Sequence, residues 1–177
     1  MTRDELEHAI RAACDVADDT EIYVFGSQAV LGQYPDPPEA LCQSAEVDVM
    51  PKNRPDRVDR IDGALGELSQ FHQAFGFYVH GVSLETAVLP EGWKDRLIVV
   101  RNDNTGRCTG WCVEGHDLAA SKLVAFRDKD RNFVRVQLAE GLIDADTLAS
   151  RIRALAVSPD DHERLATWVA ATCQELD

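Results

Sequence analysis

The stretch EIYVFGSQAVLGQYPDPPEALCQSAEVDV, residues 21–49, contains the features that decide the fold. It begins with 21–25, a run rich in β-branched and aromatic residues that predicts a short strand ending at a glycine. Residues 28–31 predict the start of a helix, and 32–43, which contains three prolines, predicts a loop. Polar and apolar residues alternate over 46–49, which predicts a second strand with one polar face.

Two acidic residues, Glu46 and Asp48, share the polar face of this second strand. Because strand side chains alternate, the two carboxylates lie on the same side, about 6.5 Å apart. Carboxylates at that spacing can jointly hold divalent cations, and their hard oxygen ligands suit Mg²⁺ or Mn²⁺. Two such ions about 4 Å apart would stabilise the attacking and leaving oxygens of a nucleotidyl transfer. A solvated face of an edge strand explains the same two residues, so they do not decide the function alone.

A glycine and a serine, Gly26 and Ser27, follow the first strand. A glycine allows the backbone to approach a phosphate group closely, and the N-terminus of a helix supplies N–H donors and a favourable dipole. The hydroxyl of Ser27 adds another donor. A turn with a simple helix cap explains the pair equally well when it is considered alone.

The combination of strand, Gly-Ser, short helix, loop and acid-x-acid strand resembles the signature of the DNA polymerase beta-like nucleotidyltransferases. In this chain the signature reads VFGSQA over 24–29, followed by SAEVDV over 44–49. The resemblance implies that Gly26 and Ser27 contact a nucleoside triphosphate and that Glu46 and Asp48 bind two metal ions. Two features depart from the pattern. The first acid is a glutamate where most members carry aspartate, and the gap of nineteen from Ser27 to Glu46 is longer than usual.

The strand predicted over 75–82 is where members of that superfamily often place a third metal-binding acid. His80 and Glu85 lie on or after this strand, which contains no aspartate. Glu85 is the nearest substitute, and a two-acid or damaged site is the alternative.

Residues 85–93 (ETAVLPEGW) and 116–130 (HDLAASKLVAFRDKD) resemble blocks of a bacterial family of nucleotidyltransferase-like proteins. That family is similar to the toxin components of abortive-infection-type toxin–antitoxin systems. The resemblance implies that Lys122 contacts the triphosphate and that Asp130 positions it or activates the acceptor hydroxyl. The alternative is structural: Lys122 extends its ammonium to solvent, and Asp130 caps the next helix.

The remaining pattern predicts an α+β, or mixed α/β, fold with a nucleotidyltransferase-type mixed sheet flanked by helices and a C-terminal helical portion. A capping box formed by Thr2 and Glu5 starts a first helix that ends near residue 18. Further strands are predicted over 75–82, 86–89, 97–100 and 107–113, and further helices over 55–71, 117–128, 132–139, 146–155 and 159–174. We expect a nucleotidyltransferase core over 1–115 and a helical region over 116–177, packed together as one unit.

Composition limits the classes of function. The chain has 177 residues, and its formal charge of −13 opposes broad, non-specific binding of nucleic acid. Five scattered cysteines fit reduced thiols, and the charged N-terminus does not have the pattern of a signal peptide, so we expect a cytoplasmic location with no membrane contact.

These observations together predict a nucleotidyltransferase that uses Mg²⁺ or Mn²⁺. The donor would be a nucleoside triphosphate, and the acceptor a hydroxyl of RNA, including tRNA, or of a protein. A toxin role with an antitoxin partner follows from the resemblance. The alternatives are a non-catalytic interaction module with the same fold, and a nuclease or phosphatase that uses the same acids.

Overall fold

The computed structural model describes residues 1–176, and two compact units are present along the chain. The first unit comprises residues 1–87 and 97–113, and the second comprises 88–96 and the chain from Glu114 onward. The expected division into 1–115 and 116–177 stays a prediction.

The first unit is built on a five-stranded mixed sheet with the strand order β3-β2-β1-β5-β4. Strand β1 is antiparallel to β2 and parallel to β5, β2 is parallel to β3, and β4 is antiparallel to β5. The predicted fold class is therefore confirmed. The strands are β1 (Glu21–Phe25), β2 (Glu46–Pro51), β3 (Tyr78–Gly81), β4 (Ile98–Val100) and β5 (Thr109–Cys112).

Four helices belong to the first unit: α1 (Arg3–Ala17), α2 (Val30–Gln33), α3 (Val58–Leu65) and α4 (Gln70–Phe75). The predicted capping box is confirmed, because the Thr2 side chain accepts from the Glu5 backbone and the Glu5 carboxylate accepts from the Thr2 backbone. The apolar stripe of α1 is fully buried. Ile10 of that stripe packs so closely on the sheet that a Cβ at Gly110 would lie 2.4 Å from its Cδ1.

Two predictions in this unit are wrong. The helix predicted over 55–71 breaks after α3, because Gly66 has an extended backbone and Leu68 has a φ of +66°, and Ser69 caps the new helix α4. The short strand predicted over 86–89 does not form, and a 3₁₀ turn over Leu84–Thr86 lies there instead.

The second unit contains α5 (Gly115–Ala125), α6 (Asp128–Ala139), α7 (Ala145–Arg153) and α8 (Pro159–Leu176), which share a hydrophobic core. Ser158 caps the last helix, because the backbone N–H of Asp161 donates to Ser158 Oγ over 3.1 Å. No helix within residues 1–176 is both long enough and apolar enough to cross a bilayer.

A buried carboxylate, Asp117, explains why the segment 88–96 belongs to the second unit. Arg96 donates to both Asp117 oxygens over 2.8 and 3.0 Å, and Arg151 Nε lies 3.1 Å from Oδ1. Asp117 has no exposed surface, so its charge requires these partners.

Asp19 joins the start of β1 to the end of β2. Its carboxylate accepts hydrogen bonds from the backbones of Thr20, Glu21, Asn53 and Arg54 and from the Asn53 side chain, over 2.7–3.1 Å. Burial raises the pKa of Asp19, but these hydrogen bonds outweigh burial and leave the pKa below its usual value. The ionised carboxylate therefore stabilises the pairing of the two strands that carry the site described below.

We expect Asp19→Asn to lower the free energy of unfolding by about 2 kcal/mol near neutral pH, because the amide cannot replace a carboxylate that accepts on both oxygens. A lowered folded-state pKa means that the stabilisation is full above the unfolded value of about 3.9 and is lost as pH falls through the folded value. Urea unfolding at several pH values should show the gap from wild type narrowing in acid. Asp36→Asn, an exposed control, should change little. Equal losses in both variants would contradict the prediction.

Candidate metal and nucleotide site

The two predicted metal acids, Glu46 and Asp48, lie on one face of β2 with side chains 37% and 27% exposed. Strand β1 pairs with β2 so that Phe25 lies opposite Asp48. The chain therefore leaves β1 at Gly26, directly beside the second acid.

Gly26 lies in close contact with the Asp48 carboxylate. Its φ is +63°, and a Cβ at this position would lie 2.1 Å from Asp48 Oδ2, which is shorter than any van der Waals contact. Only glycine fits this space and this backbone conformation. The structure thus places the glycine of the predicted phosphate-binding turn against one predicted metal acid.

The short helix predicted after the glycine does not begin at the glycine itself. Ser27 begins a 3₁₀ turn over Ser27–Ala29, and only then does the four-residue helix α2 follow. A macrodipole needs a longer helix, so phosphate binding here would depend on the backbone and hydroxyl of Gly26-Ser27. Gln28 within this turn is fully buried, and within residues 1–176 its side-chain amide makes no hydrogen bond.

A histidine joins the two acids. The parallel pairing of β2 with β3 places His80 opposite Asp48, on the same face of the sheet. Its Nδ1 lies 3.0 Å from Glu46 Oε1 and 3.1 Å from Asp48 Oδ1. Glu46, Asp48 and His80 each offer one ligand atom, and these atoms lie within 4.8 Å of one another. Within residues 1–176 no other group of three or more His, Cys, Asp or Glu residues meets this condition.

The environment of this histidine is strongly negative. Burial lowers the pKa of His80, but a hydrogen bond to Asp48 and the charges of Asp48, Asp62 and Glu46 outweigh it, so the pKa is raised. The same carboxylates thus favour a positive charge at the position between them.

A cleft of about 380 Å³ opens beside the acids. Burial, followed by the charges of Glu46, Glu67 and Asp48, raises the pKa of Tyr78 in its wall. The cleft is therefore acidic before any cation binds. Its lining residues are Glu46, Asp62, Gly66, Glu67, Tyr78 and His80.

The donor set fits a divalent cation. Two carboxylates and an imidazole are common ligands of such ions, and three partly exposed side chains leave coordination positions for water and substrate oxygens. Glu85, the expected substitute for a third acid, is exposed on the 3₁₀ turn over Leu84–Thr86 and is not part of the group of ligands.

Lys122 and Asp130 lie in the second unit, where they contact one another. Lys122 Nζ is 3.5 Å from Asp130 Oδ1, and the two side chains are 12% and 1% exposed. Arg127 Nε also donates to Asp130, over 2.5 Å. The structural alternative given above is wrong in both parts, because Lys122 is largely buried and the N-cap position of α6 is Arg127. The break between α5 and α6 at Phe126, with a φ of +53°, brings the two charges together.

Sequence reasoning did not identify His80 as a partner of the acids, although the residue stands on the strand where a third acid was expected. A single histidine in a strand does not by itself predict a metal site, because its neighbours depend on the β2–β3 register. Asp62, Glu67 and Tyr78 were missed for the same reason, since they meet the acids only after α3 and β3 have packed.

The sequence of the chain matches a known protein family over most of its length. The family model described as "Nucleotidyltransferase of unknown function (DUF6036)" matches residues 4–171. No curated protein and no solved structure matches the chain.

Gly26→Ala tests the contact between the turn and Asp48, with Gly106→Ala as its matched control. Both glycines have a φ near +60°, but a Cβ at Gly106 would meet nothing within 4 Å. We expect Gly106→Ala to cost about 1 kcal/mol for its backbone conformation alone. Gly26→Ala should cost about 1–3 kcal/mol more, because the methyl group displaces Asp48. Chemical denaturation measures both, and equal losses would contradict the geometry.

Proposed function

The chain belongs to the family of nucleotidyltransferases of unknown function (DUF6036), and from this premise we propose that it transfers a nucleotidyl group from a nucleoside triphosphate to a hydroxyl acceptor in a metal-dependent reaction. One observation carries the proposal: the glycine turn after β1 packs on Asp48, while Asp48 and Glu46 share one face of β2. A phosphate-binding turn and paired carboxylates are the two parts that nucleotidyl transfer requires.

Four residues of the first unit have a defined task in this proposal. Glu46 and Asp48 would hold Mg²⁺ or Mn²⁺, which neutralises triphosphate charge and polarises the α-phosphate when bound. The missing Cβ of Gly26 leaves the backbone close to this position, and the amide and hydroxyl of Ser27 are donors suited to phosphate oxygens. In the transfer the acceptor oxygen bonds to the α-phosphorus, the bond to the bridging oxygen breaks, and pyrophosphate leaves. The acceptor proton passes to a general base.

The charge of the cleft favours a protein acceptor over RNA. Glu46, Asp62 and Glu67 line the cleft, and the whole chain carries a formal charge of −13. A tRNA end would bring several phosphates into this field, and each would be repelled. A serine, threonine or tyrosine hydroxyl on a protein brings no such charge, so we propose this class of acceptor.

A non-catalytic module is the second candidate, and His80 is the observation that favours it. Its imidazole lies within 3.1 Å of both acids. It stands on the strand where an acid was expected from the resemblance, so a protonated imidazole could replace the metal permanently.

Transfer of label from nucleotide to acceptor separates these candidates. The purified protein would be incubated with nucleoside triphosphates labelled on the α-phosphate, Mg²⁺ or Mn²⁺, and total cellular protein or RNA. We expect label in the protein fraction and at least about a hundredfold loss in Asp48→Asn, because one metal acid is removed. Glu85→Gln, the control, should match wild type.

Three results would overturn the proposal in different ways. Release of labelled nucleotide without incorporation would indicate a nuclease or phosphatase. Absence of metal-dependent nucleotide binding in calorimetry, for both wild type and Asp48→Asn, would favour the module. Label in RNA alone would overturn the choice of acceptor.

The resemblance to toxins supports a biological role, which we propose as a consequence of the same reaction. Induced expression of the wild-type chain would then arrest the growth of a host cell, and Asp48→Asn would not. Equal growth of the two strains, at equal protein levels, would contradict a toxin role while leaving the chemistry unaffected.

We propose catalytic roles for Lys122 and Asp130 from the resemblance, and their direct ion pair supports a shared task. Asp130→Asn should lower transfer by at least about a hundredfold under conditions where the variant is folded. Asp130→Ala should also lower the free energy of unfolding by about 3 kcal/mol, because it leaves Lys122 without its buried partner. Asp128→Asn, an exposed acid in the same turn, is the control. Full activity in folded Asp130→Asn would make the pair purely structural.

A further inference from the structure

We propose that His80 is the third protein ligand of the cation held by Glu46 and Asp48, and that its nitrogen makes the site prefer Mn²⁺ to Mg²⁺. The inference rests on the proposed function only in placing a divalent cation at these two acids.

The strand register supplies the three ligands from two neighbouring strands. Glu46 and Asp48 point to one face of β2, and the parallel partner of Asp48 on β3 is His80. Side chains at paired positions of adjacent strands share a face and lie close together. The three groups are therefore positioned by backbone pairing, which is more rigid than a loop.

Two of the three distances between the ligand atoms fit coordination of one ion. Two ligand atoms about 2.1–2.2 Å from one ion and at right angles are about 3.0–3.1 Å apart. His80 Nδ1 lies 3.0 Å from Glu46 Oε1 and 3.1 Å from Asp48 Oδ1. Glu46, Asp48 and His80 would hold the ion, and water and phosphate oxygens would supply its remaining ligands.

The chemistry of the imidazole decides the preference between the two metals. Mg²⁺ binds almost entirely through oxygen atoms and exchanges its water reluctantly, whereas first-row transition metals accept imidazole nitrogen readily. A third carboxylate at this position would serve both ions, but a neutral nitrogen adds little for Mg²⁺. The preference concerns Mn²⁺ against Mg²⁺, since later transition metals bind such sites more tightly still.

The alternative is that His80 only hydrogen-bonds to the acids and fixes their orientation. A histidine in that role would leave the site when the cation enters, and no nitrogen would coordinate the ion. Spectroscopy of the bound ion separates the two roles, whereas a loss of affinity alone would not.

The test uses the whole chain and the metal ions alone, without nucleotide. Pulsed electron paramagnetic resonance of bound Mn²⁺ detects a directly coordinated nitrogen through its nuclear modulation. Calorimetric titration gives the affinities for Mn²⁺ and Mg²⁺. Both methods would be applied to wild type, His80→Ala and His80→Asp, with Glu67→Gln as a control that removes a carboxylate of the same cleft outside the three ligands.

We expect nitrogen modulation in wild type and in Glu67→Gln, and none in the two His80 variants. His80→Ala should weaken Mn²⁺ about ten- to hundredfold and Mg²⁺ far less. His80→Asp should restore binding of both ions and reduce the preference for Mn²⁺, because its carboxylate is a hard ligand.

Two results would overturn the inference. One is the absence of nitrogen modulation in wild-type protein with Mn²⁺ bound, a measurement that needs no variant to fold. The other is an unchanged ratio of Mn²⁺ to Mg²⁺ affinity in His80→Ala. Either result leaves nucleotide transfer possible, whereas nitrogen-ligated Mn²⁺ without any transfer would reject the proposed function and retain His80 as a ligand.

Discussion

The backbone of Gly26 lies against the carboxylate of Asp48, and the arrangement of the site depends on this contact. A Cβ would lie 2.1 Å from Oδ2, so the chain can turn here only because the residue is glycine. The turn directs the chain into a 3₁₀ helix that begins at Ser27. Glycine has more conformational freedom than other residues, so the surrounding structure must fix the turn. The pairing of β1 with β2 fixes the position of the turn. At the opposite end of this strand pair, Asp19 accepts hydrogen bonds from the backbones of Asn53 and Arg54, which follow β2.

Strand β2 connects the parts of the site, because its two neighbours supply different parts of it. Its antiparallel neighbour β1 ends in the glycine turn, and its parallel neighbour β3 carries His80. Asp48 is paired in both registers: Phe25 of β1 lies opposite it on one side, and His80 of β3 lies opposite it on the other. An antiparallel and a parallel neighbour on one strand require a mixed sheet. The fold class and the geometry of the site are therefore consequences of the same pairing.

Local patterns in the sequence were sufficient for much of this arrangement, and non-local contacts account for the rest. The capping box, the two strands around the glycine and the acidic face of β2 follow from residues within a few positions of one another. The break before α4 does not, since it depends on a leucine with a positive φ, which residue preferences disfavour. The role of His80 depends on a partner that is distant in the sequence, and so does the role of the buried Asp117, which pairs with two arginines.

Electrostatics connects the metal to the substrate. The cleft carries the carboxylates of Glu46, Asp62 and Glu67. Burial and the charges of Glu46, Glu67 and Asp48 raise the pKa of Tyr78. The pKa of His80 is lowered by burial, but Asp48, Asp62 and Glu46 outweigh burial and raise it. The field of these carboxylates attracts a cation and repels a triphosphate, which carries several negative charges. A nucleotide can therefore bind strongly only when cations bind with it, because they reverse the sign of the local field. The carboxylates repel a nucleotide that carries no metal, but with metal bound they hold it through the cations. The negative charge of the cleft is therefore compatible with an anionic substrate. It makes binding of that substrate depend on the metal.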